Sequence, residues 1–162
     1  MAEERNQSRG SNASQHIRDV MTPNPQTVTE KDTIVQAARI MRDQDTGVVP
    51  VVDDSRKIIG LITDRDIVVR AIADGKDISK VRVNELMTKQ VRTVNEEASV
   101  REVLEVMSGA QIRRVPVVNR NNELIGIVSM KDIATDTKED SKVGQAKVGQ
   151  AVEQISRGPA NN

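Results

Sequence analysis

Two short stretches, GLITDRD at 60–66 and GIVSMKD at 126–132, hold the side chains best placed to do chemistry. In each, a hydroxyl (Thr63, Ser129) stands three residues before a carboxylate (Asp66, Asp132) and follows a glycine and two aliphatics. A carboxylate in that position can accept hydrogen bonds from the two adjacent hydroxyls of a sugar, and the glycine would let backbone approach closely. The same spacing is also an ordinary helix-start box, in which hydroxyl and carboxylate satisfy each other's backbone N–H groups. Catalytic alternatives are poor. With no cysteine and one histidine, His16, the chain offers no thiol nucleophile, no Ser-His-Asp set and no thiolate zinc cluster. No glycine-rich phosphate loop is present. Asp64 and Asp66 are more simply helix-start charges than an acid and base pair. The expectation is a chain that binds rather than catalyses, without a metal.

The elements that must position these groups come from a repeat. An offset of 66 residues aligns 17–67 with 83–133 without a gap. Met21 and Thr22 meet Met87 and Thr88, VPVV at 49–52 meets VPVV at 115–118, and Asp66 meets Asp132. Each copy reads β-α-β-β-α. A short extended piece (Thr27 and Val28; Thr93 and Val94) precedes a helix through Ile34, Ala37 and Met41, or Val100, Val103 and Met107. Thr33 with Gln36 and Ser99 with Glu102 have capping-box spacing at the helix starts. Two β-branched strands follow, joined by a turn, then a second helix over about 64–73 and again over about 130–136. Pro50 and Pro116 lack a ladder donor inside a strand, which predicts an edge that opens a cleft. Copies of this size bury too little surface alone. We therefore expect an α/β (α+β) fold, with two units related by a pseudo-twofold axis and packed through their sheets. The expected division is a disordered tail over 1–15, unit one over 16–74, a linker over 75–82, unit two over 83–136 and a flexible tail over 137–162.

Composition narrows the partners. The 162 residues carry 24 basic and 24 acidic side chains and no Phe, Tyr or Trp. Balanced charge gives no footprint for DNA or RNA, and the missing aromatics remove the stacking platforms of single-strand binders. A bound base would have to rest against aliphatic walls. The start lacks a signal-peptide stretch and no apolar run is long enough to span a bilayer, so no membrane contact and a cytoplasmic location are expected.

The order MT, TV, helix, PVV, then GLITDRDI or GIVSMKDI resembles the cystathionine β-synthase (CBS) domain, used in tandem as a Bateman module, over about residues 14–136. TDRDIVVRAIADGKD is further similar to small stand-alone bacterial pairs of the hypoxic response protein 1 type. The resemblance implies a sensor of adenosine nucleotides, with AMP, ADP or ATP first and S-adenosylmethionine or NADH as further options, and a disc-like homodimer. It implies ribose contacts from Asp66 and Asp132, and sugar and phosphate contacts from Thr63 and Ser129. For the base it implies walls from Thr27, Val28, Val49 and Pro50 and from Thr93, Val94, Val115 and Pro116, although the valines are equally suited to plain core packing. Phosphate would fall to Arg113 and Arg114, assisted by Arg65 and Lys131, because the planar guanidinium fork suits it. Copy one has Gly47 and Val48 where copy two has Arg113 and Arg114. Unequal sites are expected.

Two functions follow. In one, the nucleotide shifts the population between arrangements of the two units, and the result is passed in trans to an unidentified protein. In the other, the chain is a ligand-free dimeric scaffold or stress-response protein acting through protein contacts.

Overall fold

The computed structural model describes residues 15–136 and 142–157. The expectations for 1–14, 137–141 and 158–162 lie outside the described residues. Copy one runs from β1 (Thr22–Pro23) through α1 (Ile34–Asp43), β2 (Val48–Val52), β3 (Ile58–Thr63) and α2 (Asp64–Ile67). Helix α1 starts where its capping box lies: the Thr33 hydroxyl accepts the Gln36 N–H and the Gln36 side chain accepts the Thr33 N–H. Its buried face is Ile34, Ala37 and Met41, the spacing one stripe of a helix requires. After α2 the chain widens into a π-type turn, Val68–Ile72, with the Ala73 N–H donating to the Val68 carbonyl five residues back. The second helix of copy one is thus a four-residue α-helix and a wider turn, where a single helix was expected.

Copy two runs as α3 (Val83–Leu86), β4 (Val94–Asn95), α4 (Val100–Ala110), β5 (Arg114–Val118), β6 (Leu124–Ser129) and α5 (Met130–Asp136); the mates of β1 and β4, at 88–89 and 28–29, are single bridges. The 66-residue offset holds at the level of register. In copy one Val48 pairs with Thr63 and Pro50 with Leu61; in copy two Arg114 pairs with Ser129 and Pro116 with Ile127. Even the irregularity recurs, between Val51 and Val52 and between Val117 and Val118. The bridge between Lys57 and Glu123 maps onto itself under the offset, so the pseudo-twofold axis passes through it.

Each copy's sheet is completed by the other copy's leading segment. Strand β1, sequence-adjacent to copy one, pairs antiparallel with β6, so the larger sheet has the order β1-β6-β5-β4. Reciprocally, Thr88 bridges Leu61 of β3. Ile17 is fully buried in the core of copy two with Val103, Met107, Val115 and Ile133. Val81, Val83, Leu86 and Met87 are buried in the core of copy one with Ile34, Val49 and Ile62. The expected linker therefore delivers Val81 to copy one, where the Ile34 N–H donates to the Val81 carbonyl at 3.1 Å. This exchange also corrects the reading of the glycines. A Cβ on Gly126 would collide with the Met21 sulfur, and one on Gly60 would stand 2.8 Å from the Met87 sulfur. The glycines make room for the other copy's methionine rather than for a ligand.

Pro116 does not lie on an edge strand, since β5 runs between β6 and β4. The proline is tolerated because of where its parallel neighbour begins. In copy one the Val28 N–H donates to the Pro50 carbonyl and the Val52 N–H to the Val28 carbonyl, so the ladder starts at the proline and its missing donor falls just before the first rung. Val94 pairs with Val117 in the same register that puts Val28 against Val51.

Where a flexible, disordered or loosely helical tail was expected, Lys142–Arg157 form the helix α6, packed on α4 and α5 of copy two. Ala151 is buried in that core and Ile155 packs against it, four residues apart on one helical face.

Candidate functional site

Both hydroxyl-to-carboxylate stretches lie at strand-to-helix junctions, and both form the cap. At β3–α2, Asp66 Oδ2 accepts the Thr63 N–H at 2.9 Å and the Thr63 hydroxyl accepts the Asp66 N–H at 3.1 Å. At β6–α5, Asp132 Oδ2 accepts the Ser129 N–H and the Ser129 hydroxyl, each at 2.7 Å, while the Ser129 oxygen accepts the Asp132 N–H at 3.1 Å. The cap uses one oxygen of each carboxylate. Asp66 Oδ1 lies 3.7 Å from the Arg70 guanidinium, which also donates to the Leu86 carbonyl. Asp132 Oδ1 has no partner among the described residues.

Asp132 opens onto a cleft of about 290 Å³ between the copies. Copy two supplies Arg114, Ser129, Lys131 and Asp132, with Ile127 as an apolar patch. Copy one supplies Ile40, Val48 and Pro50 as an aliphatic wall, and Gln44, Asp45 and Thr46 from the turn after α1. A carboxylate with a free oxygen, a hydroxyl, two cations and a flat aliphatic wall can hold a sugar diol, an acidic group and an apolar ring without aromatic stacking. Among the nominated residues, the structure brings Ser129, Asp132, Lys131, Arg114 and Pro50 together.

Others stand apart. Val28, Val49, Val94 and Val115 are buried in the two cores. Thr27 lines an open depression with Arg56 and Glu123, close to the pseudo-twofold axis. Pro116 is buried within β5. Thr93 lies beside Arg92, Val106 and Ala110 around a cavity of about 320 Å³. Arg92, Val106 and Ala110 are the offset mates of Gln26, Ile40 and Gln44 in the cleft, yet the lining of that cavity does not extend to Thr63 or Asp66. Arg65 is exposed on α2. Arg113 turns to α6, where its guanidinium donates to the Ser156 hydroxyl at 3.4 Å. Sequence reasoning missed Ile40, Thr46, Val48 and Ile127. Val48 was findable, being the offset mate of Arg114; Ile40 carried no signal that set it apart from a core position.

Comparison with known proteins places this arrangement. A family model, the CBS domain, matches residues 17–72 and again 83–136. Protein YlbB of Bacillus subtilis is 40% identical over 131 residues, which is 80% of this chain and 87% of that protein. Hypoxic response protein 1 of Mycobacterium tuberculosis is 38% identical over 126 residues, 78% of this chain and 87% of that one. A crystal structure of Hypoxic Response Protein I with two coordinated zinc ions matches with TM-score 0.69 over 75% of this chain and 98% of that one. Among the described residues of the present chain, no three His, Cys, Asp or Glu side chains stand close enough to share a metal ion. The CBS domain pair of protein MJ0100, solved with 5′-methylthioadenosine and S-adenosyl-L-methionine, matches with TM-score 0.69 at 31% identity over 78% of this chain and 98% of that one. No helix among the described residues is long and apolar enough to cross a membrane.

Proposed function

The chain belongs to the CBS domain family as a tandem pair, and from that premise we propose that it is a regulatory module binding an adenosine-containing compound in the cleft at Asp132. Asp132, whose Oδ1 has no partner among the described residues, carries the reading: it lines a cleft walled by Ile40, Val48 and Pro50 and flanked by Arg114 and Lys131. Asp132 accepts the ribose hydroxyls, the aliphatic wall covers the base, and Arg114, Lys131 and Ser129 take the group on the 5′ carbon. The ligands of the MJ0100 pair share the adenosine moiety, which supports it as the common element. Because the cleft has walls from both copies, a ligand there favours the arrangement that brings them together, by no more than its differential affinity for the two states. In this reading the protein acts as a cytoplasmic homodimer on a separate protein. The exposed Val68, Val69 and Ile72 of the π-type turn support self-association.

Thermal unfolding followed by circular dichroism tests the reading, since the chain has no Trp or Tyr to report by fluorescence. AMP, ADP, ATP, S-adenosylmethionine and NADH are each added at millimolar concentration. A compound present at about 100 times its Kd adds about 2.7 kcal/mol, which raises the midpoint by several degrees. A flat response to the whole panel would overturn the reading in favour of a ligand-free scaffold.

A further inference from the structure

A second cavity, of about 360 Å³, adjoins the cleft between the β6–α5 junction and α6. Its polar lining is Arg113, Arg114, Ser129 and Lys131, and α6 contributes Val152 and Ile155. Arg114, Ser129 and Lys131 line the cleft as well, so the two spaces share a wall. Asp132 faces the cleft alone and Arg113 the outer cavity alone. Asp45 and Asp132 balance Arg114 and Lys131 in the cleft, whereas the outer cavity has three cations and no carboxylate.

The cations of the outer cavity share one space that no carboxylate lines. Arg42, Arg70, Lys80, Arg101 and Arg120 each stand within ion-pair distance of a carboxylate. Among the described residues Arg113, Arg114 and Lys131 have no such partner, and Arg113 is held by a neutral hydroxyl on α6. Three unpaired cations around one space repel one another, and an anion between them lowers that energy more the more charge it carries. Copy one lacks this arrangement. Gly47 replaces Arg113, and a Cβ there would stand 2.9 Å from an Asp64 carboxylate oxygen, so the equivalent place is acidic.

We propose that the outer cavity is a polyphosphate subsite, through which the protein selects a nucleoside triphosphate over the monophosphate, with Arg113 as the selecting residue and α6 as the outer wall. The proposal rests on the nucleotide reading above. A ribose anchored on Asp132 puts its first phosphate at the shared wall of Arg114, Ser129 and Lys131; the next two phosphates carry their charge outward to Arg113. The monophosphate ends at the shared wall and leaves Arg113 on Ser156.

Calorimetric titration of the full chain with adenosine, AMP, ADP, ATP and inorganic tripolyphosphate tests this. ATP should bind at least about tenfold more tightly than AMP, the effect of one charge-assisted contact in a partly dry site. Arg113→Gln, which keeps a donor for Ser156, should bring ATP within about twofold of AMP, leave AMP unchanged and weaken tripolyphosphate about tenfold. Val152→Glu sets a carboxylate into the outer wall at a residue that is 41% exposed, and should weaken ATP more than AMP at an unaltered unfolding midpoint. Equal affinity for AMP and ATP in the unmodified chain, or an unchanged ratio in Arg113→Gln, would overturn the selection while leaving the nucleotide reading intact. Failure of every adenosine compound to bind would overturn both.

Discussion

The caps at Thr63 and Ser129 are the same piece of backbone engineering in different surroundings. In copy one the second oxygen of Asp66 faces Arg70, and the strand is entered through Gly47 and Val48. In copy two the residue at the place of Arg70 is Asp136, the second oxygen of Asp132 has no partner among the described residues, and the strand is entered through Arg113 and Arg114. Register, caps and strand irregularity recur from copy to copy, while the charges around the cap do not. A capped helix start is needed by both halves of the fold. What turns one of them into a candidate binding site is the company its carboxylate keeps.

The comparison can be broken most severely through the exchanged segments. Ile17→Ala empties a fully buried position in the core of copy two and should cost about 2–5 kcal/mol in urea unfolding; a loss under about 1 kcal/mol would show that residues ahead of β1 do not build that core. The next effect is on binding. Asp132→Ala should weaken AMP at least about tenfold in calorimetry and Asp66→Ala by less than about twofold, both having lost a cap of similar worth. Equal losses would mean that the two sites are equivalent. Transplanting the neighbour sharpens the point. Asp136→Arg gives Asp132 the cation that Asp66 has in Arg70, and a half-exposed pair of this kind, worth up to about 1 kcal/mol, should weaken AMP by up to about fivefold.

The smallest effect concerns acid. The Ser99 backbone N–H, and then its hydroxyl, hold the Glu102 carboxyl below its ordinary value of 4.5. A lowered folded value means that this contribution is present above the ordinary value and is lost as pH falls through the folded one. The offset mate of Glu102 is Gln36, which does not titrate. Protection of the amides at the start of α4, taken relative to their intrinsic exchange rates, should therefore fall in acid while that at the start of α1 is unaffected. An equal loss of protection at both would show that the Glu102 charge is not what secures the cap.

Much of this was legible because a repeat states each signal twice. Thr33 with Gln36 and Ser99 with Glu102 announced two helices at one offset, and the VPVV runs announced the strands between them. The exchange was not legible. Strand β1 is two residues long and carries no alternation to read, and Gly126 gives no sign in sequence that its neighbour is Met21 rather than a ligand. Valines also read ambiguously: Val28 and Val49 fit a binding wall and a core equally well by type, and burial alone separates the two roles. A loose helix was legible over α6 but its packing on copy two was not, since a stripe of only Ala151 and the partly buried Ile155 among glycines and polar residues gives weak periodicity. That same helix takes up Arg113, which sequence reasoning had assigned to phosphate directly.

The reciprocal completion of the sheets bears on how the chain comes off a ribosome. The first copy to emerge cannot finish its own sheet until Thr88 follows, and β1 has to wait for β6, synthesised about a hundred residues later. The segment around β1, made before the rest of the pair, is thus among the last to find its place. Copy one is complete once residues 81–88 have followed it, while copy two closes only when β6 reaches that earlier segment.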